Sequence, residues 1–259
     1  QADDLSPVSE SGLPDEVLPL VQELNLLFGR VKTAFDAQQH FVADAAHELR
    51  TPLAALKLQA QSLERADTEE ARSVAVGRLT AGIERATRLV EQLLVLARQE
   101  ASAASGVKGQ DVPLADLARR TLGDLAGPAQ AKGIDLGLER ADEVRIQGQP
   151  DALAILMRNL VDNAIRYTPA EGKVDVQVRA DDDGATVTVE DSGPGIAPEE
   201  RDRVFDRFYR IAGSEAGGSG IGMAIVKAIA DRHGAKLLLD QSEKLGGLRV
   251  KVVFPAQSA

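Results

Sequence analysis

A single seven-residue repeat limits what the first quarter of this chain can become. Val21, Phe28, Phe35, Val42, Leu49, Leu56 and Leu63 recur at every seventh position, and Leu24, Val31 and Ala45 fill the second seam of the same heptad. That period belongs to a helix packed along its length on other helices. Pro14 and Asp15 suit a first helical turn, so the pattern predicts a helix from there to about Arg65. His47 stands five residues past Val42, on the outward side of the heptad, where another protein can reach it. Pro52 cannot donate to the carbonyl of Glu48, so one interruption with a bend is expected, a hinge beside His47.

Ala66-Asp67-Thr68 reads as a turn, with Asp67 as the N-cap of a second helix and Glu70 three residues on. The seam of that helix is Leu79, Ile83, Ala86, Val90, Leu93 and Ala97. Two amphipathic helices joined by a short turn make an antiparallel hairpin. A lone hairpin leaves its apolar stripe in water, and pairing two hairpins into a four-helix bundle removes it from water, so a homodimer is expected. Ala101 to Gly109 is small and polar and reads as a domain linker.

Beyond the linker the periodicity changes. Leu114 to Lys132 reads as a helix, Ile134 to Leu138 and Val144 to Gln147 as strands, and Asp151 to Tyr167 as a strong helix. Val174, Val176 and Val178, then Val187 and Val189, alternate with polar residues around Asp181-Asp182-Asp183-Gly184, which predicts a hairpin. A glycine-rich region spans roughly 192–220. A helix over Ile221–His233 and strands over Lys236–Leu239 and Leu248–Phe254 complete the order. Without strict βαβ alternation this favours a mixed α/β sandwich over a doubly wound sheet. Its core must be aliphatic, because aromatics are only 3% of the chain. There is no Cys, which excludes disulfides and thiolate metal sites, and the net charge of -10 argues against nucleic acid as partner. No apolar run approaches the ~20 residues of a membrane span. The chain begins at Gln1 and reads as a fragment, with any membrane contact made through an upstream segment.

Several clusters can carry chemistry. Asn159, Asn163 and Arg166 share one stripe of the 151–167 helix, beside the apolar face of Leu153, Met157, Leu160 and Ala164. Amide oxygens and a guanidinium suit a hard cation and an anion, and equally a solvated polar face. Asp191-Ser192-Gly193-Pro194-Gly195 ends a strand. It reads either as a plain turn or as a close backbone approach to a ligand, with Asp191 accepting from an exocyclic amine. Gly217-Gly218-Ser219-Gly220-Ile221-Gly222 opens a helix, where free N–H groups cradle phosphate. Between them lies Phe205-Asp206-Arg207-Phe208-Tyr209-Arg210, a loop with an aromatic anchor or simply core filling. His233 reads as an ordinary helix-end residue.

In this order the pieces resemble a sensor histidine kinase of two-component systems. Ala46-His47-Glu48-Leu49-Arg50-Thr51-Pro52-Leu53 looks like the H box. Asn159 to Tyr167 resembles the N box, Asp191 to Gly195 the first glycine box, Phe205 to Tyr209 the F box and Gly218 to Gly222 the second glycine box. Residues 8–35 look like the second half of a HAMP relay. Ala46 stands where many members have Ser, and Ile221 and Met223 where Leu is common; none of these removes a needed donor or ligand.

The resemblance implies three regions: a relay and connecting helix over 1–36, a dimerisation and histidine-phosphotransfer domain over 37–102, and a Bergerat-type (GHKL) ATP-binding domain over 108–259. It implies His47 as phospho-acceptor, with Glu48 as its carboxylate and Thr51 placing the water that hydrolyses a partner's phospho-aspartate. Asn163 would hold Mg²⁺ with Asn159 in support, Arg166 and Arg210 would approach phosphate, Tyr167 would pack near adenine, and Asp191 would read its amino group. Gly193, Gly195, Ile196, Gly218, Gly220, Ile221 and Gly222 would complete the ATP site. The implied activity is ATP-dependent autophosphorylation of His47 and transfer to a response-regulator aspartate, with phosphatase action on that receiver domain, in the cytoplasmic portion of a bacterial inner-membrane sensor. Two other readings are a non-kinase ATPase of the same nucleotide fold and a non-catalytic signalling scaffold.

Overall fold

The computed structural model describes residues 7–9, 11–12, 14, 17–102, 109–181, 184–211 and 218–256. Asp15 of the expected first turn, Asp182 and Asp183 of the hairpin, Gly217, and most of the 101–109 linker lie outside the described residues. The chain divides into two units, Gln1–Ala86 and Thr87–Ala259.

The first unit is built on α1 (Leu18–Glu64) and the start of α2 (Glu69–Ser102). The helix begins four residues later than Pro14. Val17 and Leu18 instead donate to the Pro14 carbonyl, a single turn before the helix proper. Asn25 then clamps the preceding segment: its Oδ1 accepts the Val8 N–H at 2.7 Å and its Nδ2 donates to the Val8 carbonyl at 3.0 Å. At Pro52 the helix does not break, and α1 runs through it as one helix of 47 residues. Proline removes one hydrogen bond, and the many bonds on either side keep the helix in register. The cap of α2 also differs. Thr68, not Asp67, takes the role, its Oγ1 accepting the Ala71 N–H at 3.1 Å. A threonine three residues before that N–H is in the position a cap requires. Leu56 and Gln59 of α1 lie against Gly82 of α2, so the two helices fold back as a hairpin.

The second unit contains the end of α2, then β1 (Gln110–Pro113), α3 (Leu114–Ala131), β2 (Asp135–Ala141), β3 (Arg145–Gly148), α4 (Pro150–Tyr167), β4 (Lys173–Asp181), β5 (Gly184–Asp191), α5 (Gly222–Arg232), β6 (Lys236–Gln241) and β7 (Leu248–Pro255). Five strands form one sheet in the order β2-β4-β5-β7-β6, parallel only between β2 and β4. β1 and β3 form a separate antiparallel pair. This is the mixed α/β sandwich expected from the sequence. β1 alone was not foreseen, because four residues cannot display an alternation.

The register explains the two faces of the sheet. Val176 pairs with Val189 and Val189 with Val250, while Val178 pairs with Val187 and Val187 with Val252. These valines lie on the face that α3 and α4 cover, and all are buried. On the other face Asp175 pairs with Glu190, and Glu190 with Arg249. Asp175 is buried there but meets Lys244 at 2.7 Å, and Glu190 accepts from Ser242 Oγ at 3.0 Å. The ion pair and hydrogen bonds compensate the burial of charge.

Candidate functional site

Helix α4 positions the amides. Leu153, Leu156, Met157, Leu160 and Ala164 are buried, which fixes the helix rotation and leaves Asn159, Asn163 and Arg166 at one side of its packed stripe. Asn159 donates from Nδ2 to the Ile155 carbonyl at 2.8 Å, so its Oδ1 is turned towards the start of α5. There a Cβ on Gly222 would sit 3.2 Å from Asn159 Oδ1 and 3.3 Å from the Asn163 amide nitrogen. The bare backbone of Gly222 thus lets α5 begin directly against the two amides. Arg166 pairs with Asp162 at 2.9 Å, and its Nη1 lies beside Gly218.

Asp191 ends β5 and is buried. Its Oδ1 accepts N–H groups from Gly193 at 2.8 Å and Leu248 at 3.1 Å. Burial pushes this carboxyl above the usual carboxylate range, against the pull of those two donors. Both donors meet the same oxygen, which leaves Oδ2 for a ligand.

The two ends of the 209–220 segment are tied together. Phe208 has a left-handed φ of 63° and donates its N–H to the Gly220 carbonyl at 3.0 Å. Gly220, at φ 69°, faces that backbone so closely that a Cβ would fall 2.6 Å from the Phe208 carbonyl carbon, so no other residue fits there. Tyr209 is held from both sides: its hydroxyl meets Glu200 and Arg203 lies over its ring, 4.3 Å from the centroid.

These elements surround a cavity of about 440 Å³ in the second unit. Asn163, Arg166, Tyr167, Asp191, Gly195, Ile196, Arg210, Gly218, Gly220 and Gly222 all line it, which brings together most of the residues singled out from sequence. Asn159 and Gly193 stand just behind, through the contacts above. Ile221 departs from expectation. It is fully buried and its N–H goes to Ser219 Oγ at 3.2 Å, so it supports α5 rather than facing the cavity. Its apolar side chain is drawn into the core by the same packing that places the glycines. Gln92, Leu248 and Val250 line or support the site unforeseen. Leu248 acts through its backbone, which no residue type announces, and Gln92 looks like any polar residue on an amphipathic helix. His47, Glu48 and Thr51 lie on α1 in the first unit; His47 and Thr51 are exposed and Glu48 is half-buried.

A cavity lined by apolar side chains together with Asp191, glycine backbone, Asn163 and two guanidiniums suits a purine joined to phosphates. Among the described residues no group of three or more His, Cys, Asp or Glu could hold a metal ion. The two amides fit a cation that draws its remaining ligands from phosphate and water, as Mg²⁺ does.

Comparison with known proteins agrees with this geometry. Residues 148–258 match the model of the "Histidine kinase-, DNA gyrase B-, and HSP90-like ATPase" family, and residues 37–102 that of the "His Kinase A (phospho-acceptor) domain". The chain is 33% identical to the sensor protein BasS of Escherichia coli K12 over 252 residues, covering 97% of this chain and 68% of that protein. The chain belongs to the sensor histidine kinases of two-component systems. Within this family it is also 42% identical to the sensor protein QseC of Escherichia coli K12, over 96% of this chain and 55% of QseC. It thus spans about half the length of QseC. Among solved structures, the full-length histidine kinase ShkA in complex with AMPPNP aligns with a TM-score of 0.57 at 26% identity, over 85% of this chain and 47% of that one. The Ala46, Ile221 and Met223 variations therefore sit inside a histidine kinase family member.

Proposed function

We propose that the chain is an ATP-dependent protein-histidine kinase that phosphorylates His47 and passes the group to an aspartate of a response-regulator receiver domain. The observation that carries this reading is the convergence of the N box, both glycine boxes and Arg210 on one cavity of nucleotide size. An exposed histidine stands on α1 of the same chain.

In this mechanism Asp191 Oδ2 accepts from the adenine amino group, and Tyr167 and Ile196 flank the base. The N–H groups near Gly218 and Gly220 cradle the phosphates, with Arg166 and Arg210 placing positive charge against them. Asn163, backed by Asn159, would hold Mg²⁺, which neutralises phosphate charge when bound. The unprotonated ring nitrogen of His47 attacks the γ-phosphorus. A P–N bond forms, the bond to the β-phosphate oxygen breaks, and ADP leaves with that electron pair. Glu48 takes the proton from the other ring nitrogen or steadies it there. The aspartate of the partner then attacks the phosphorus, forming an acyl phosphate and releasing His47. In the reverse duty Thr51, one helical turn from His47, orients the water that hydrolyses that acyl phosphate. The region over 37–102 acts as the phosphotransfer domain and 108–259 as the ATP-binding domain. We place the whole in the cytoplasmic portion of a bacterial inner-membrane sensor. Among the described residues no helix is long and apolar enough to cross a membrane.

Incubation with γ-labelled ATP and Mg²⁺ should give a label stable to alkali and lost in acid. His47→Gln should abolish it, and label that persists in that variant would remove His47 from the mechanism.

A further inference from the structure

Gln92 has no part in the reaction just described, yet it lines the nucleotide cavity. It lies on the last turns of α2, which belong to the second unit. Leu89, Gln92, Leu93 and Leu96 fall at helical spacings of three, four and seven, on one face. The three leucines of this face are buried, and Gln92 is half-buried. Val90 and Leu94, on other faces of the same turns, remain exposed. Gln92 is the polar member of this face, and it meets the second glycine box through Ser219.

The contact uses up a hydroxyl. Ser219 Oγ donates to Gln92 Oε1 at 2.6 Å and accepts the Ile221 N–H at 3.2 Å. A serine hydroxyl has one proton, and here it is given to a carbonyl oxygen of α2. That carbonyl oxygen sits beside the N–H groups of the glycine box, where the proposed nucleotide would bring phosphate oxygens. Two acceptors then compete for one donor. Phosphate is the stronger acceptor because it is charged. It also repels the amide oxygen of Gln92.

We propose that Gln92 and Ser219 form a nucleotide-sensitive latch: their hydrogen bond holds α2 on the glycine box, and triphosphate binding releases it by accepting the Ser219 hydroxyl in place of Gln92. The latch rests on the ATP-site reading above and adds a regulatory coupling between the second helix of the phospho-acceptor hairpin and the state of the nucleotide site. Opening it costs one hydrogen bond, so the latch lowers nucleotide affinity in the parent chain.

Calorimetry with a non-hydrolysable ATP analogue and Mg²⁺ on four chains provides the test: parent, Gln92→Leu, Ser219→Ala and the double variant. Gln92→Leu should bind about fivefold more tightly than the parent, the equilibrium worth of one neutral hydrogen bond. Gln92→Leu should change nothing further in the Ser219→Ala background. Hydrogen exchange should also rise at residues 88–97 when the parent is saturated with the analogue. Weaker or unchanged binding by Gln92→Leu, or no change in α2 exchange, overturns the latch while leaving the ATP site intact. If none of the four chains binds the analogue, the ATP-site reading falls and the latch with it.

Discussion

Thr51 and His47 are both exposed on one face of α1, a turn apart, and the proposed chemistry asks different things of them. His47 must carry the phosphoryl group, whereas Thr51 is needed only to hold a water during hydrolysis of the partner's acyl phosphate. Thr51→Ala should therefore leave autophosphorylation within about twofold of the parent and lower phosphatase action by the 10²–10⁴-fold, roughly, that a positioned proton-transfer or water-orienting group contributes. Rates of loss of label from a phosphorylated receiver domain measure this. Equal rates for variant and parent would strip Thr51 of the role. Much at this scale is legible in sequence. Heptad phase alone turns His47 outward, and the boxes name most of the residues around the cavity. What escapes is whatever acts through the backbone or through a distant contact. The N–H of Leu248 reaches Asp191 across 57 positions, and Ser219 reaches Gln92 across 127; no local pattern encodes either.

The elements meet at a histidine whose weight the sequence does not reveal. His233 follows α5, as its position at a helix end suggests, but it also supports another helix. Its Nδ1–H donates to the Ile229 carbonyl at 2.7 Å, and its Nε2 accepts the N–H of Gln149, the residue before α4, at 3.1 Å. Gly148, which ends β3, lies against the ring. This pattern needs the neutral imidazole. Burial, with Arg232 nearby, pushes the group below its ordinary range, against the hydrogen bond to Ile229. A second proton would remove the acceptor for Gln149 and place positive charge at the N-terminus of the helix that carries Asn159 and Asn163. The folded-state value is depressed for a base. Its contribution to stability is thus fully present above the unfolded value, about 6.5, and is lost as pH falls through that value towards the lower folded one. Between about pH 7.5 and 5.5 the urea midpoint of the ATP-binding unit should fall in the parent and much less in His233→Gln, which keeps an acceptor without the titration. Parallel profiles would exclude His233 as the cause. The element boundaries themselves were readable to within a few residues wherever an apolar period ran long. They slipped where a single side chain decides, as at Thr68.

At the scale of the whole molecule, the first unit carries an apolar stripe that is exposed in part among the described residues. Val21 is buried, but further along the same heptad Phe35 is 48% exposed and Val42 59%. A helix of 47 residues with that stripe in water would lose the burial that makes long helices stable. A second copy of the hairpin supplies the missing surface with matching period, which is the four-helix bundle expected from sequence. Val42 lies five residues before His47 on the opposite side of the helix, so it tests the seam without touching the outward face. Val42→Glu would bury two unpaired carboxylates, one from each copy, and each such burial costs several kcal/mol. Sedimentation equilibrium should show the dimer dissociation constant rise by at least about a hundredfold, a factor of ten being ~1.4 kcal/mol. Calorimetry should show nucleotide binding by the second unit unchanged, which separates loss of pairing from loss of folding. A Val42→Glu chain that remains dimeric at the parent's concentrations would mean that the seam of α1 does not hold the two copies together. The exposed residues on α2, Ile83 and Val90 among them, would then be the surface to mutate next.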